Sequence, residues 1–476
     1  MYQGLKQSHF TRNSSLAALL AAAAVLGACG GSSPTSSNNP SPAGSSPAMV
    51  TAGDAPMSSV LAALVTVSAV SVTSASGTVQ LLNQPRPIEL THLGGIRAPL
   101  DDHALPQGTY TSLSLTVSAA KITYIDPVSG QPVTANTTIP AASATATITL
   151  NPALVVNSTA ATDIRFDFDL QKSLDLTGSV VTFTPVISAA AAKIEGESDD
   201  ERDIDINGTV SAVDTSKSTI TLTTDDTGLS VTLNVTSATE FGDSMTLASL
   251  QAGTEIHSED RLNSDGTMTV LSVENANGGS AVDDNSRVDG GIVTAVTLDS
   301  NNVLTSFTMV VRDSVREASL GQALTVQVNS GTLFKDTLTA QTAGLANFDA
   351  TQVFPGQGVW VAGTKSGTGT VLATEVRPAA VNPFGLTSAA VQTGSSSGFV
   401  ISLLLDANTS FAKFANLSTL TVDTNASTVF DGQTLTSTTV ANLAVGTPLV
   451  ARGFLSLSGT TITEFCNHLH EPSPEN

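Results

Sequence analysis

Apolar and polar residues alternate in three separate stretches of the chain that share one pattern. Residues 231–241 read VTLNVTSATEF, residues 324–334 read LTVQVNSGTLF, and residues 420–430 read LTVDTNASTVF. Alternation with a period of two is typical of a half-buried β-strand. Each stretch then passes through small polar residues to a threonine, one further residue and a phenylalanine. The pattern predicts that one strand and the turn after it occur three times.

The alternation also predicts which side chains of this strand face the interior. Side chains two residues apart lie on the same face of a strand. The intervening Thr, Asn, Gln and Asp residues need water, so we expect the apolar face to be buried. The predicted interior residues are Val231, Leu233, Leu324, Val326, Leu420 and Val422.

Further landmarks accompany the strand in the same order each time. The predicted opening strands begin at Gly208-Thr209-Val210, Gly291-Ile292-Val293 and Gly398-Phe399-Val400. An apolar-Gly-apolar motif and a Gly-Thr hairpin follow each copy of the strand. Repetition at this length indicates a repeated structural unit. About five short strands with a glycine that permits a sharp bend favour a small barrel of the OB type.

The region before the repeats is also predicted to consist of short strands. Turn signals such as Pro106-Gln107-Gly108 separate alternating runs, and no long stretch has helical periodicity. The prediction is therefore an all-β chain: an N-terminal β-sandwich followed by three small OB-like β-barrel repeats, with a disordered N-terminal tether. The predicted boundaries are a signal peptide at 1–28, the tether at 29–56, the sandwich at 57–188, a linker at 189–205, barrel repeats at 206–276, 287–379 and 390–466, and a tail at 467–476.

Two of these regions resemble known families. Asp54-Ala55-Pro56, Leu105-Pro106-Gln107-Gly108-Thr109-Tyr110 and residues 164–170 (IRFDFDL) carry the first resemblance. It is to a domain of unknown function, of transthyretin-like or Ig-like sandwich type, that opens many bacterial surface lipoproteins. The three repeats resemble a second, OB-like domain of unknown function that is repeated in bacterial envelope proteins. Neither resemblance implies an activity.

The first residues have the features of a secretory leader. Lys6 and Arg12 precede an apolar run at residues 16–26, which is too short to span a membrane. Leu26-Gly27-Ala28-Cys29 resembles the bacterial lipobox, in which the cysteine is lipidated. We therefore expect acyl chains such as palmitate on Cys29, which would anchor the chain to the membrane. The expected location is the outer membrane, at the cell surface or on the periplasmic face.

Composition narrows the classes of partner. The formal net charge is −22, with 41 acidic and 19 basic residues, so the chain would repel a nucleic-acid backbone. Hydrophobic residues make up 41% but aromatic residues only 4%. The cores must therefore consist mainly of aliphatic residues and threonine, which suits β-sheets.

Two sets of residues are weak candidates for a site. Trp360 is the only tryptophan and alternates with Val359 and Val361. If the valines face inward, its indole either stacks on a sugar or packs between domains, and packing is the favoured interpretation. Cys466, His468 and His470 alternate and could hold a metal, but no fourth ligand lies nearby, so solvated side chains are favoured.

Other motifs are better explained as linkers or as a solvated strand face than as catalytic, calcium-binding or ligand-binding sites. Residues 394–398 (GSSSG) match the form of a nucleophile elbow, but they lie in a serine-rich linker. The acidic runs at 199–205 and 283–285 lack the spacing of a calcium loop and are interpreted as linkers. Residues 165–169 (RFDFD) either present a carboxylate pair or form a solvated sheet face opposite two buried phenylalanines, and the second is favoured.

These features predict a protein that is not an enzyme and needs no cofactor. The leading hypothesis is a lipid-anchored cell-envelope protein with a structural, adhesion or ligand-binding role. The alternative is an accessory carbohydrate-binding lipoprotein. The expected partners are the membrane, through the lipid, and a glycan or a surface protein.

Overall fold

The protein is built almost entirely from β-strands, as the sequence predicts. The computed structural model describes residues 44–55, 59–93, 96–126, 128–157, 160–176, 180–194, 202–225, 227–242, 244–276, 286–314, 320–394, 398–405, 410–432 and 435–471. Predictions for the leader, for Cys29, for residues 395–397 and for the acidic residues 199–201 and 283–285 fall outside these ranges.

The N-terminal domain is a β-sandwich. Its elements are β1 (Ser45–Ala55), β2 (Val60–Ser74), β3 (Gly77–Gln80), β4 (Arg86–Glu89), β5 (Ala98–Pro106), β6 (Gly108–Ile125), β7 (Pro132–Asn136), β8 (Thr145–Val156), β9 (Thr162–Asp169), α1 (Leu170–Ser173), β10 (Leu174–Asp175), β11 (Thr182–Phe183) and β12 (Ile187–Lys193). One sheet has the order β12-β9-β1-β5, and the other has β3-β2-β6-β7 with β4 and β8 paired to it. Both sheets contribute to one core, in which Phe166 and Phe168 are fully buried, as the alternation in β9 predicts.

The structure corrects two predicted boundaries of this domain. Residues 45–55 were expected to belong to the tether, but they form β1, which pairs with β5 on one side and in parallel with β9 on the other. Ala48, Val50 and Ala52 are buried there. Small apolar side chains suit the centre of a sheet when strands on both sides cover them. Similarly, the predicted linker begins with β12, which pairs with β9.

Three barrels follow the sandwich. Barrel 1 contains β13 (Asp203–Asp214), β14 (Thr219–Thr224), β15 (Ser230–Asn234), β16 (Glu240–Phe241), β17 (Glu255–Leu262) and β18 (Met268–Asn275). Barrel 2 contains β19 (Ser286–Leu298), β20 (Leu304–Ser314), β21 (Ala323–Gln327), β22 (Leu333–Phe334), α2 (Leu338–Ala343), β23 (Gly358–Gly367) and β24 (Thr370–Pro378). Barrel 3 contains β25 (Phe384–Thr387), β26 (Gln392–Thr393), β27 (Phe399–Leu405), α3 (Ser410–Ala415), β28 (Thr419–Asp431), β29 (Pro448–Ser458) and β30 (Thr461–His470).

The recurring strand closes each barrel. It pairs in parallel with the last strand of its own unit, as β15 with β18, β21 with β24 and β28 with β30. Five strands thereby form a closed ring in each unit. The residues predicted to face the interior are all buried, with exposures of at most 3%: Val231, Leu233, Leu324, Val326, Leu420 and Val422.

The threonine two residues before the phenylalanine of the recurring motif has a structural explanation. Thr239, Thr332 and Thr428 each donate a side-chain hydrogen bond to a backbone carbonyl of the last strand, at 2.8, 2.8 and 2.7 Å. Each hydroxyl also accepts a backbone N–H from three residues upstream, so it fixes the turn and the strand together. The acceptor carbonyls belong to Val270, Ala373 and Cys466.

The opening strand of barrel 3 differs from the prediction. Gly208 and Gly291 pair with Ile256 and Val359, whereas the residue in this place in barrel 3 is Gly385, which pairs with Leu449. The predicted Gly398-Phe399-Val400 begins the second strand instead, and the predicted limit at residue 390 leaves β25 outside the unit. A Cβ atom on Gly208, Gly291 or Gly385 would lie 2.2–2.9 Å from a carbonyl oxygen of the next strand, so a side chain would force the strands apart.

The domains share their hydrophobic cores. All described residues belong to one compact unit, Ser36–Asn476. Met49 and Ala161 of the sandwich are buried in the core cluster of barrel 1. Phe454 of barrel 3 is buried in the cluster of barrel 2. These contacts place the outer faces of the barrels against one another and against the sandwich.

Candidate functional site at the domain junction

Barrel 1 presents a row of three polar residues on neighbouring strands. Asn207 on β13 pairs with His257 on β17, which pairs with Glu274 on β18. Their apolar neighbours Ile206 and Ile256 are almost fully buried in the barrel core. Because side chains alternate along a strand, the three polar side chains point away from that core.

Barrel 2 has a corresponding row of three residues, at the equivalent positions of its own sheet. Gly290 pairs with Trp360, which pairs with Arg377. Val359 and Val361 are buried in the core of barrel 2, as the alternation predicts, and Trp360 points outward. A Cβ atom on Gly290 would lie 3.1 Å from the indole ring, so the glycine lets the ring lie against the strand.

The two rows line a common cavity with a volume of about 100 Å³. His92 and Ile96 of the sandwich and Arg452 and Phe454 of barrel 3 complete its walls. All four domains therefore contribute to one site. This junction is the candidate functional site.

Asp205 is the polar centre of the junction. One of its oxygens lies 3.1 Å from His257 Nδ1, and the other accepts a hydrogen bond of 2.8 Å from Arg452 of barrel 3. His257 Nδ1 also lies 2.8 Å from Asn207 Oδ1. Since both oxygens are acceptors, Nδ1 carries the proton. Asn207 Nδ2 in turn donates to Asp313 of barrel 2 at 2.7 Å, so the network spans three barrels.

Glu274 is a buried acid of the cavity wall. It is 4% exposed, and burial raises its pKa to about 7, although His257 and Arg377 act in the opposite direction. Its Oε1 accepts the backbone N–H of Thr339 at 3.0 Å. Thr339 lies in α2 of barrel 2, so this carboxyl also links two barrels.

The arginines of the wall are held by acceptors within the protein. Arg377 forms an ion pair with Glu375, whose other oxygen lies 2.6 Å from Lys335 Nζ. Arg312 donates from Nε to Thr91 Oγ1 of the sandwich at 2.8 Å and from its terminal nitrogen to the Thr91 carbonyl. These bonds hold barrel 2 against the sandwich.

A second, larger cleft of about 400 Å³ adjoins the cavity. The two spaces share Ile96, Asp205, Thr339 and Arg452 in their walls. Asp203, Glu240 and Glu259 line the larger cleft, which is acidic. We call it the outer cleft.

The structure separates the candidate metal ligands. Cys466 is fully buried in the core of barrel 3, where burial raises the pKa of its thiol, and its Sγ lies 3.1 Å from the His468 carbonyl. His468 instead lines the outer cleft, and His470 pairs with Val450. In the part of the chain that the structure describes, no group of three or more His, Cys, Asp or Glu side chains could hold a metal ion.

Of the candidate site residues that the structure describes, Trp360 lines the cavity, whereas Cys466, His468 and His470 do not. Asn207, His257 and Glu274 were not predicted, because polar residues at outward positions of a strand are typical of a solvated face. Asp203 and Asp205, predicted to be linker residues, belong to β13. Comparison of the repeats at equal register would have shown that these outward positions carry unusual residues in two barrels.

The comparisons with known proteins agree with two sequence-based expectations. Residues 49–184 match the family described as Domain of unknown function (DUF4382), and residues 207–274 match Domain of unknown function (DUF5666). The first range covers the sandwich and the second covers barrel 1. No curated protein matches the chain in sequence.

Several solved structures are similar to parts of the chain. A copper(II)-bound fragment (residues 10–88) of a tryptophan-to-alanine variant of CusF from Escherichia coli is 12% identical, with a TM-score of 0.14, and the match covers 16% of this chain and 94% of the fragment. The wild-type single-stranded DNA binding protein from Thermus aquaticus is 13% identical, with a TM-score of 0.17, over 40% of this chain and 94% of that protein. Similarities at this level carry no functional argument.

The helices of the structure were compared with the requirements of a membrane span. None of the helices in the described ranges has the length and apolar character needed to cross a bilayer.

Proposed function

We propose that the chain is a lipid-anchored envelope protein that binds a small polar ligand in the junction cavity and has no catalytic role. The observation that carries the proposal is the pair of rows, Asn207-His257-Glu274 and Gly290-Trp360-Arg377, at the same place in two barrels and facing one cavity. Cavities that combine an aromatic side chain with a few fixed polar groups are typical of ligand sites.

The arrangement favours binding over catalysis. Neither serine nor cysteine occurs among the described residues of the cavity wall. The threonine hydroxyls of the wall make other bonds: Thr337 Oγ1 accepts the backbone N–H of Ala340, and Thr339 Oγ1 donates to Glu259. The Nδ1 proton of His257 is shared between Asp205 and Asn207. We expect these contacts to fix the imidazole, which is a property of a preorganised binding site.

The anchoring part of the proposal rests on the leader. Lys6, Arg12 and the apolar run before Leu26-Gly27-Ala28-Cys29 support export and lipidation. The outer membrane is the proposed location, and the membrane and an envelope ligand are the proposed partners.

A carbohydrate is the second candidate ligand, and Trp360 supports it. The indole is partly exposed in the cavity and is surrounded by hydrogen-bonding side chains. Aromatic rings beside such groups can stack on the apolar face of a sugar.

The test is a binding screen of the purified full-length protein against envelope-derived saccharides and small polar metabolites, followed by thermal unfolding. A true ligand should raise the midpoint of unfolding, and Trp360→Ala should weaken its binding at least tenfold. Leu404→Ala is the matched control, because Leu404 is 48% exposed on barrel 3 and lies outside the cavity wall. A ligand whose binding is lost equally in both variants would place its site elsewhere.

A further inference from the structure

We infer that the ligand of the junction cavity carries an ammonium group, which the Glu274 carboxylate and the Trp360 indole recognise together. This inference rests on the proposed function, since it takes the cavity to be a binding site. It specifies the chemical class of the ligand.

The first argument is that the cationic side chains of the cavity wall already have acceptors. Arg452 bonds Asp205, Arg377 pairs with Glu375, and Arg312 bonds the hydroxyl and carbonyl of Thr91. An anionic ligand would have to compete with these internal acceptors. These internal acceptors offset part of the positive charge of the wall, although Arg377 Nη2 and Arg452 Nε make no hydrogen bond within the described residues.

The second argument is that Glu274 and Trp360 have capacity left. Among the described residues, Glu274 forms no direct ion pair, and the hydrogen bond that its side chain makes is with the backbone N–H of Thr339. The Trp360 ring stacks on no described aromatic or cationic group. A carboxylate and an indole that line one small cavity suit an ammonium ion, through a charge-assisted bond and a cation–π contact.

The third argument is the electrostatic field. The formal net charge of the chain is −22, and the outer cleft next to the cavity is lined by Asp203, Glu240 and Glu259. Such a field attracts small cations and raises their concentration near the site.

The cavity volume limits the size of the ligand. About 100 Å³ is available, and one water needs roughly 10–15 Å³ on the same measure, so the cavity holds on the order of seven water-sized groups. A small amine fits this volume.

Binding should depend on pH because the carboxylate form of Glu274 is needed. With a pKa of about 7, the acid is mostly charged at pH 8 and mostly neutral at pH 6, so affinity should fall about tenfold between them. Other charged or titratable groups face the same space and could add to the effect. They are His92, Asp205, His257, Glu259, Asp313, Arg312, Arg377 and Arg452.

The experiment compares amines with neutral molecules of matched shape by calorimetry on the full-length protein. The pairs are choline with 3,3-dimethylbutan-1-ol and ethanolamine with ethylene glycol. At least one amine should bind tenfold or more tightly than its neutral partner at pH 8, and the pair that responds distinguishes a quaternary from a primary ammonium group. Glu274→Gln should remove both this preference and the fall in affinity toward pH 6. Any pH dependence that remains in the variant belongs to the other groups.

The outcomes separate the inference from the proposed function. Equal binding of amine and neutral partner, or an unchanged preference in Glu274→Gln, would overturn the inference. Binding of a neutral saccharide alone, lost in Trp360→Ala, would overturn it while supporting the proposed function. If neither these probes nor the wider screen gave any binding, both would fail.

Discussion

Glu464 occupies a core position that is apolar in the other two barrels. The buried residues Leu233, Val326 and Val422 of the recurring strand pair with Met268, Val371 and Glu464 of the last strands. Glu464 is 0% exposed, and neither carboxyl oxygen has a hydrogen-bond partner among the described residues. A Cβ atom on Gly453 would lie 2.4 Å from the Phe465 carbonyl oxygen and 2.9 Å from Glu464 Cγ, so a side chain there would crowd both β30 and Glu464. We predict that Glu464→Met stabilises the protein.

The expected gain in unfolding free energy in Glu464→Met has two contributions. Burying an acid without a hydrogen bond costs about 1–3 kcal/mol, even when it is neutral. Burial also raises the pKa of Glu464 well above its ordinary value of 4.5. The folded state therefore binds this proton more tightly than the unfolded state does. Stability is fully retained below the unfolded pKa and is lost as pH rises toward the folded pKa, by about 1.4 kcal/mol per pH unit.

The assay is denaturant unfolding followed by circular dichroism between pH 5 and pH 9. Glu464→Met should raise the unfolding free energy by about 1–3 kcal/mol at pH 5 and by more at pH 8. Glu464→Gln is the matched control, because it removes the ionisation but keeps a buried polar group. It should flatten the pH dependence without the gain at pH 5. Equal or lower stability of Glu464→Met at every pH would refute the reasoning.

Three further predictions concern the anchor, the cavity and the recurring turn. Cys29→Ser should abolish metabolic labelling with a fatty acid; a variant that still labels would disprove lipidation at this residue. Gly290→Ala should displace the indole of Trp360 and shift the fluorescence emission of this single tryptophan. Gly367→Ala is the control and should not shift it, because the added Cβ atom would make only ordinary van der Waals contacts. Identical spectra for both variants would contradict the packing of the indole against Gly290. Thr332→Val should lower the unfolding free energy by about 1–2 kcal/mol, because the buried hydroxyl links the turn to the last strand, and an unchanged denaturation midpoint would show that this hydrogen bond contributes nothing.

Alternation along the chain was sufficient to predict the barrel interiors. Each barrel strand has one face against a core, so the period of two assigns Leu233, Val326 and Val422 correctly. The same reasoning failed for residues 45–55. There the strand is stabilised by partners in β5 and β9, far along the chain, and its small residues have the composition of a tether. Local composition cannot reveal pairing with distant strands.

The site could not be predicted because it belongs to no single domain. His257 and Glu274 would be ordinary solvated residues on an isolated barrel 1. In the folded protein Glu274 is buried, and this burial raises its pKa, although the hydrogen bond from the backbone N–H of Thr339 in α2 acts in the opposite direction. An alternating sequence pattern assigns side chains to the inner or the outer face of a strand. It does not identify which other domain covers the outer face.

The shared cores imply that the cavity depends on domains that contribute little to its chemistry. Phe454 of barrel 3 packs into the cluster of barrel 2 and also forms part of the cavity wall. Arg452, two residues earlier on the same strand, holds Asp205. Loss of packing at Phe454 would therefore move the residue that orients Asp205, and through it His257. The polar network is fixed by the hydrophobic contacts between barrels, so binding and folding of this junction should be coupled.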